Sequence, residues 1–180
     1  MNAMRKLLIL TSALASIVVA YPGISAAAKP QVTKIDYTYT ANLCGVDTIA
    51  HDVLIDVFSI SGNTATDRYN LQTTFTAPNG AVILRHAAGT VSADVNPTPN
   101  GDGTYTAVVT YKGLAEQYRL PGGGVLTRDT GVITFTDLLA PDGSGGFTFL
   151  SESIATHGPH PEADSGFALE CTLLGPILHG

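Results

Sequence analysis

Over residues 68–76, RYNLQTTFT, the side chains alternate with a period of two. Arg68, Asn70, Gln72 and Thr74 fall on one side of an extended chain, and Tyr69, Leu71 and Phe75 on the other. Successive side chains of a strand point to opposite faces, so this pattern dictates a half-buried strand with an apolar inner face. The alternation returns twice. Tyr105, Ala107, Val109 and Tyr111 oppose Thr104, Thr106 and Lys112, and Ile133 and Phe135 oppose Thr134 and Thr136. After the first thirty residues, no segment keeps apolar residues at i, i+3, i+4 and i+7 without a Gly, Pro or Thr-rich interruption. Long helices are therefore not expected.

Turn residues divide the chain into short spans rich in β-branched and aromatic residues, read as strands at 32–40, 48–60, 65–77, 81–87, 89–95, 104–113, 115–120, 125–139, 146–156 and 167–174. Pro78-Asn79-Gly80 carries the Asn-Gly hairpin signal, and PGGG at 121–124 marks another turn. One turn occurs twice, as PNGDGTYT (99–106) and PDGSGGFT (141–148). Asn100, Asp102 and Asp142 offer too few oxygens for calcium, so both copies read as hairpin turns. The expected fold is all-β: a single antiparallel β-barrel of about eight to ten strands, with a β-sandwich as the alternative. The tail LLGPILHG reads as a strand end or a packed tail.

The first residues predict export. Arg5 and Lys6 precede an uncharged apolar run, Leu7–Ala20, and Ala26-Ala27-Ala28 offers a cleavage site, so residues 1–28 read as a secretory signal peptide and 29–180 as one all-β domain. In an oxidising compartment the two cysteines imply one disulfide, Cys44–Cys171. With Arg5 and Lys6 set aside, seven basic residues face fifteen acidic ones, a formal charge of −8. Such a surface repels phosphate, so a nucleic-acid partner and an anionic membrane are both disfavoured, and no membrane insertion is expected after signal cleavage.

The stretches NGDGTYTAVVTYKG (100–113) and GGGVLTRDTGVITFTD (122–137), together with the layout of leader, short antiparallel strands and Gly-rich hairpins, resemble secreted actinobacterial proteins with a barrel of the allene oxide cyclase and dirigent type. The resemblance implies a small barrel whose relatives include cyclases acting on apolar substrates, proteins guiding radical coupling, and members without known activity. No catalytic residue of that family maps onto a position here.

The candidate sites follow from the faces. Tyr69, Phe75, Tyr105, Tyr111 and Phe135 would line an apolar lumen and bind a ligand. His86, Glu116, Tyr118 and Arg119 are the catalytic candidates, and Arg128 and Asp129 could share a polar mouth with them. His51 is a further acid–base candidate. His157, His160, Glu162 and Asp164 form the one cluster with metal-ligating chemistry, but Gly158, Pro159 and Pro161 argue against a helix that would bring both rings together. The stretch 157–164 therefore reads as a surface loop leading to Cys171, with no metal and no cofactor expected. No G-x-S-x-G elbow is present, which excludes that hydrolase pattern. The reading that results is a secreted, non-enzymatic barrel binding an apolar small molecule or an extracellular partner. A barrel enzyme of the cyclase or isomerase type is the alternative.

Overall fold

The computed structural model describes residues 29–166 and 168–180. The expected signal peptide lies outside them. Eight strands form one antiparallel sheet: β1 Gln31–Leu43, β2 Val46–Ser61, β3 Thr64–Thr76, β4 Val82–Asp94, β5 Thr98–Pro99, β6 Tyr105–Arg119, β7 Val125–Pro141 and β8 Phe147–His157. Their order is β1-β2-β3-β4-β6-β7-β8, with the short β5 paired to β6. Two helices follow, α1 Pro161–Asp164 and α2 Leu169–His179.

The turns are built by the residues that can make them. Cys44 and Gly45 join β1 to β2 with φ of 52° and 89°, the two positive values that a two-residue type I′ hairpin requires. The repeated motif forms the same turn twice. Asn100 N–H donates to Thr104 O and Asp142 N–H donates to Gly146 O, while Asp102 and Asp142 carboxylates accept the backbone N–H two residues on. The aromatics that end the two copies, Tyr105 and Phe147, then meet edge to face at 5.0 Å.

The inner face is the one the alternation predicts. In β3, Ala65, Leu71, Thr73 and Phe75 are buried while Arg68, Asn70 and Gln72 are exposed. In β7, Thr127, Asp129, Ile133 and Phe135 are buried. Spans read as separate strands join into longer ones: 81–87 with 89–95, and 104–113 with 115–120. The pairing shifts register at His86/Ala88 and at Leu114/Glu116, so each strand continues through a bulge.

A row of glycines crosses these strands. Tyr69 of β3 lies opposite Gly89, Gly89 opposite Gly113, and Gly113 opposite Gly131. A Cβ at Gly113, whose φ is 124°, would lie 2.8 Å from Ala88 O and 2.9 Å from the Gly89 Cα. Only glycine lets the backbones approach this closely, and such positions let a sheet bend sharply. The sheet is strongly curled: Leu54 of β2 and Phe135 of β7 line one cavity, although in a flat sheet four strand spacings would hold them about 19 Å apart.

The curl does not become a closed ring. No pairing joins β1 to β8, so the expected barrel is present as an antiparallel all-β sheet with two edges. Both edges carry exposed apolar side chains, among them Tyr37 and Tyr39 on β1 and Phe149 and Ile154 on β8.

The C-terminal segment corrects one expectation. Residues 167–174 were expected to form a strand, but Leu169–His179 is a helix. Leu173, Leu174, Ile177 and Leu178 recur at helical spacing, and Leu174 and Leu178 are buried against Leu43, Ala50, Phe75, Ile83 and Tyr118. Packing overrides the helix-breaking tendency of Gly175 and Pro176, and the Asn79 amide donates to the carbonyls of Ile177 and Leu178 at the helix end. The disulfide Cys44–Cys171 forms as expected, pinning α2 to the β1–β2 hairpin. It accords with an oxidising compartment. No helix among the described residues is long and apolar enough to cross a membrane.

Candidate functional site

A cavity of about 120 Å³ lies within the curl. Leu54, Leu71, Ala87, Val91, Ile133 and Phe135 form its apolar wall, and Tyr69 and Tyr111 add aromatic surface. The glycine row crosses this wall, since Gly89 falls between Ala87 and Val91 and Gly131 between Asp129 and Ile133. Tyr111 meets Phe135 edge to face, with ring centres 5.6 Å apart. Burial raises the hydroxyl pKa of Tyr69 to about 12 and also pushes that of Tyr111 up, so both keep their protons.

Charged groups enter the same cavity: Arg85, Glu116, Asp129 and Asp67. Arg85 Nε lies 2.6 Å from Glu116 Oε1, and both side chains are largely buried. Burial alone would favour loss of the guanidinium proton, but Glu116, Tyr118 and Glu170 outweigh it and hold Arg85 firmly charged. The Tyr118 hydroxyl lies 2.9 Å from Glu116 Oε1 and 3.0 Å from Glu170 Oε1. The hydroxyl thus bridges carboxylates on β6 and α2 with a single proton to donate. Burial pushes its pKa far up, and Glu116 adds to that.

Below this network α1 docks on β7. Asp129, 3% exposed, accepts the backbone N–H groups of Glu162 at 3.0 Å and Ala163 at 3.1 Å. Burial raises its pKa, while those two donors and His160 act the other way. Glu162 is 2% exposed, and burial raises its pKa to about 7, with Glu170, Glu116 and Asp129 adding repulsion. The surface loop expected over 157–164 is thus corrected: His160 and Glu162 are buried. Pro161 begins a helical turn, at a first-turn position where its missing N–H costs nothing.

The structure brings some predicted site residues together and separates others. Tyr69, Tyr111, Phe135 and Glu116 line the cavity, and Tyr118 sits behind Glu116. Phe75 belongs to the core under α2, and Tyr105 packs on Phe147. His86 lies on the outer phase of β4, between Gln72 and Gln117 in register, and Arg119 is exposed at the end of β6. Asp129 lines the cavity, whereas Arg128 is exposed. His51 pairs with Asp36 on the surface at 2.9 Å. The rings of His157 and His160 do not converge, since His160 Nε2 meets the His157 backbone carbonyl at 3.2 Å. Among the described residues, no group of three or more His, Cys, Asp or Glu side chains is arranged to hold a metal ion.

Arg85, Asp67 and Glu170 were not singled out from sequence, and Glu162 stood out only beside His157, His160 and Asp164 as metal-ligating chemistry in an exposed loop. In AVILRHA the apolar residues run on without alternation, so nothing assigns Arg85 to the inner face. Glu162 is buried and Glu170 half-buried only because two helices fold back over the sheet. Compared with protein families, with curated proteins and with solved structures, the chain shows no significant match to any of them.

Proposed function

We propose that this protein is a secreted, barrel-type container that binds a small, largely apolar molecule inside the curled sheet. The observation that carries the reading is the cavity: aliphatic and aromatic side chains from β2, β3, β4, β6 and β7 surround unfilled space instead of meeting one another. Sites for small molecules are concave and mostly apolar, with few polar groups to orient the guest. An engineered apolar cavity of about 150 Å³ takes up benzene, so this one suits a single ring or a short branched chain, with anything longer protruding. The resemblance to allene oxide cyclase and dirigent-type barrels agrees with such a guest, and the leader and the disulfide agree with export.

The test is occupancy. Substituting Ala87, 3% exposed in the cavity wall, by Phe fills the space. Ligand-observed NMR with small neutral aromatic probes should show binding to the parent protein and none to Ala87→Phe. Equal binding by both would overturn the reading.

A second reading, a cyclase or isomerase, is favoured by one observation: Glu116 and Arg85 reach the cavity as an ion pair backed by Tyr118. A fixed charge pair beside an apolar guest can stabilise charge that develops during reaction. Activity abolished by Glu116→Gln, with probe binding retained, would select it.

A further inference from the structure

The charges facing the cavity are unequal. Arg85 is the one basic side chain among its lining residues, and Glu116 already holds it. Asp67 and Asp129 remain. Asp129 has the two N–H donors of α1, but Asp67 has no such support: its Oδ1 is buried with no hydrogen-bond partner among the described residues. Burial and nearby Asp56 both raise the pKa of Asp67. The remaining basic residues of the strands, Lys34, Arg68, Lys112, Arg119 and Arg128, lie on the outer phase or at strand ends.

The aromatic lining points the same way. Asp67 shares the cavity wall with Tyr69, Tyr111 and Phe135. Ring faces carry negative potential, so a cation beside them gains attraction that an anion or a neutral group does not. A buried carboxylate without a partner is costly, and a guest that brings the missing charge relieves that cost. An anionic guest would find Arg85 engaged and would meet the carboxylate of Asp67.

We propose that the guest of this cavity is a small organic cation, an amine or quaternary ammonium on an apolar body of about one ring, with its charge seated at Asp67 among Tyr69, Tyr111 and Phe135. This rests on the cavity-binding reading above and adds the sign of the guest's charge. The net charge of the protein, formally −6 over the whole chain, draws such a cation toward it from solution.

Three probes with the same body and different charge test it: benzylammonium, benzyl alcohol and benzoate, titrated by calorimetry at neutral pH. Benzylammonium is expected to bind about ten-fold or more tighter than benzyl alcohol, and benzoate not measurably. In Asp67→Asn the ammonium should lose its advantage and bind no tighter than the alcohol binds to the same variant. Should the alcohol bind as tightly as the ammonium, or benzoate bind best, the inferred charge is wrong while cavity binding stands. If none of the three binds, both fall together.

Discussion

Glu162 is held at the centre of a small acidic group, with Asp129 on β7, Glu116 on β6 and Glu170 on α2 around it. Its folded pKa of about 7 stands above the ordinary 4.5, which fixes the direction of a pH effect. Below pH 4.5 the folded and unfolded chains are both protonated at this side chain. Between 4.5 and 7 the unfolded chain releases the proton and the folded chain keeps it, so stability falls as pH rises and levels off above 7. Asp67, Asp129, Asp137 and Glu152 are raised as well, mainly by burial, and act with the same sign. Urea denaturation across this range should give a higher midpoint at pH 5 than at pH 8, with a shallower slope in Glu162→Gln. Arg85→Met should leave Glu116 buried without its cation and cost about 3 kcal/mol or more; the same denaturation series checks it. In the sequence Glu162 looked exposed, because it follows a Pro-rich stretch and its burial depends on α1 docking on Asp129.

The row from Tyr69 through Gly89, Gly113 and Gly131 is where the strands bend. Gly113→Ala places a Cβ against Ala88 O in a backbone conformation that side chains rarely adopt, so a loss of about 2 kcal/mol or more is expected, read as a drop in melting temperature. Strand identity was legible because β3, β6 and β7 keep strict alternation. The bulges and the bend were not, since they arise from pairing between strands that no single segment encodes. Helix α2 was partly legible, in the spacing of Leu173, Leu174, Ile177 and Leu178. Gly175 and Pro176 hid it, and only its packing on Leu43, Phe75 and Ile83 resolves the conflict. Asn79→Ala, which removes the donor to the Ile177 and Leu178 carbonyls of the last turn, should cost about 1 kcal/mol and fray that end first, visible as faster amide exchange in α2.

Across the whole molecule, every long strand runs from one end of the sheet to the other, so the turns at 44–45, 77–81 and 120–124 gather at the end that α2 covers. The disulfide links residues 127 apart in sequence. Chain entropy sets a ceiling of about 4–5 kcal/mol on its contribution, so Cys44→Ser with Cys171→Ser should melt well below the parent in a thermal scan. The cysteine pairing and the all-β class could be read directly from composition and pattern, whereas the open edges at β1 and β8 could not, because closure depends on the summed twist of all the strands. The seal on this end also has an order in time. Neighbouring strands can pair as each hairpin is made, but Cys44 has no partner until Cys171 is synthesised. A growing chain therefore carries a free thiol at its first hairpin while the next 127 of its 180 residues are made, and the bond, once formed, records that the last helix has arrived and found its seat.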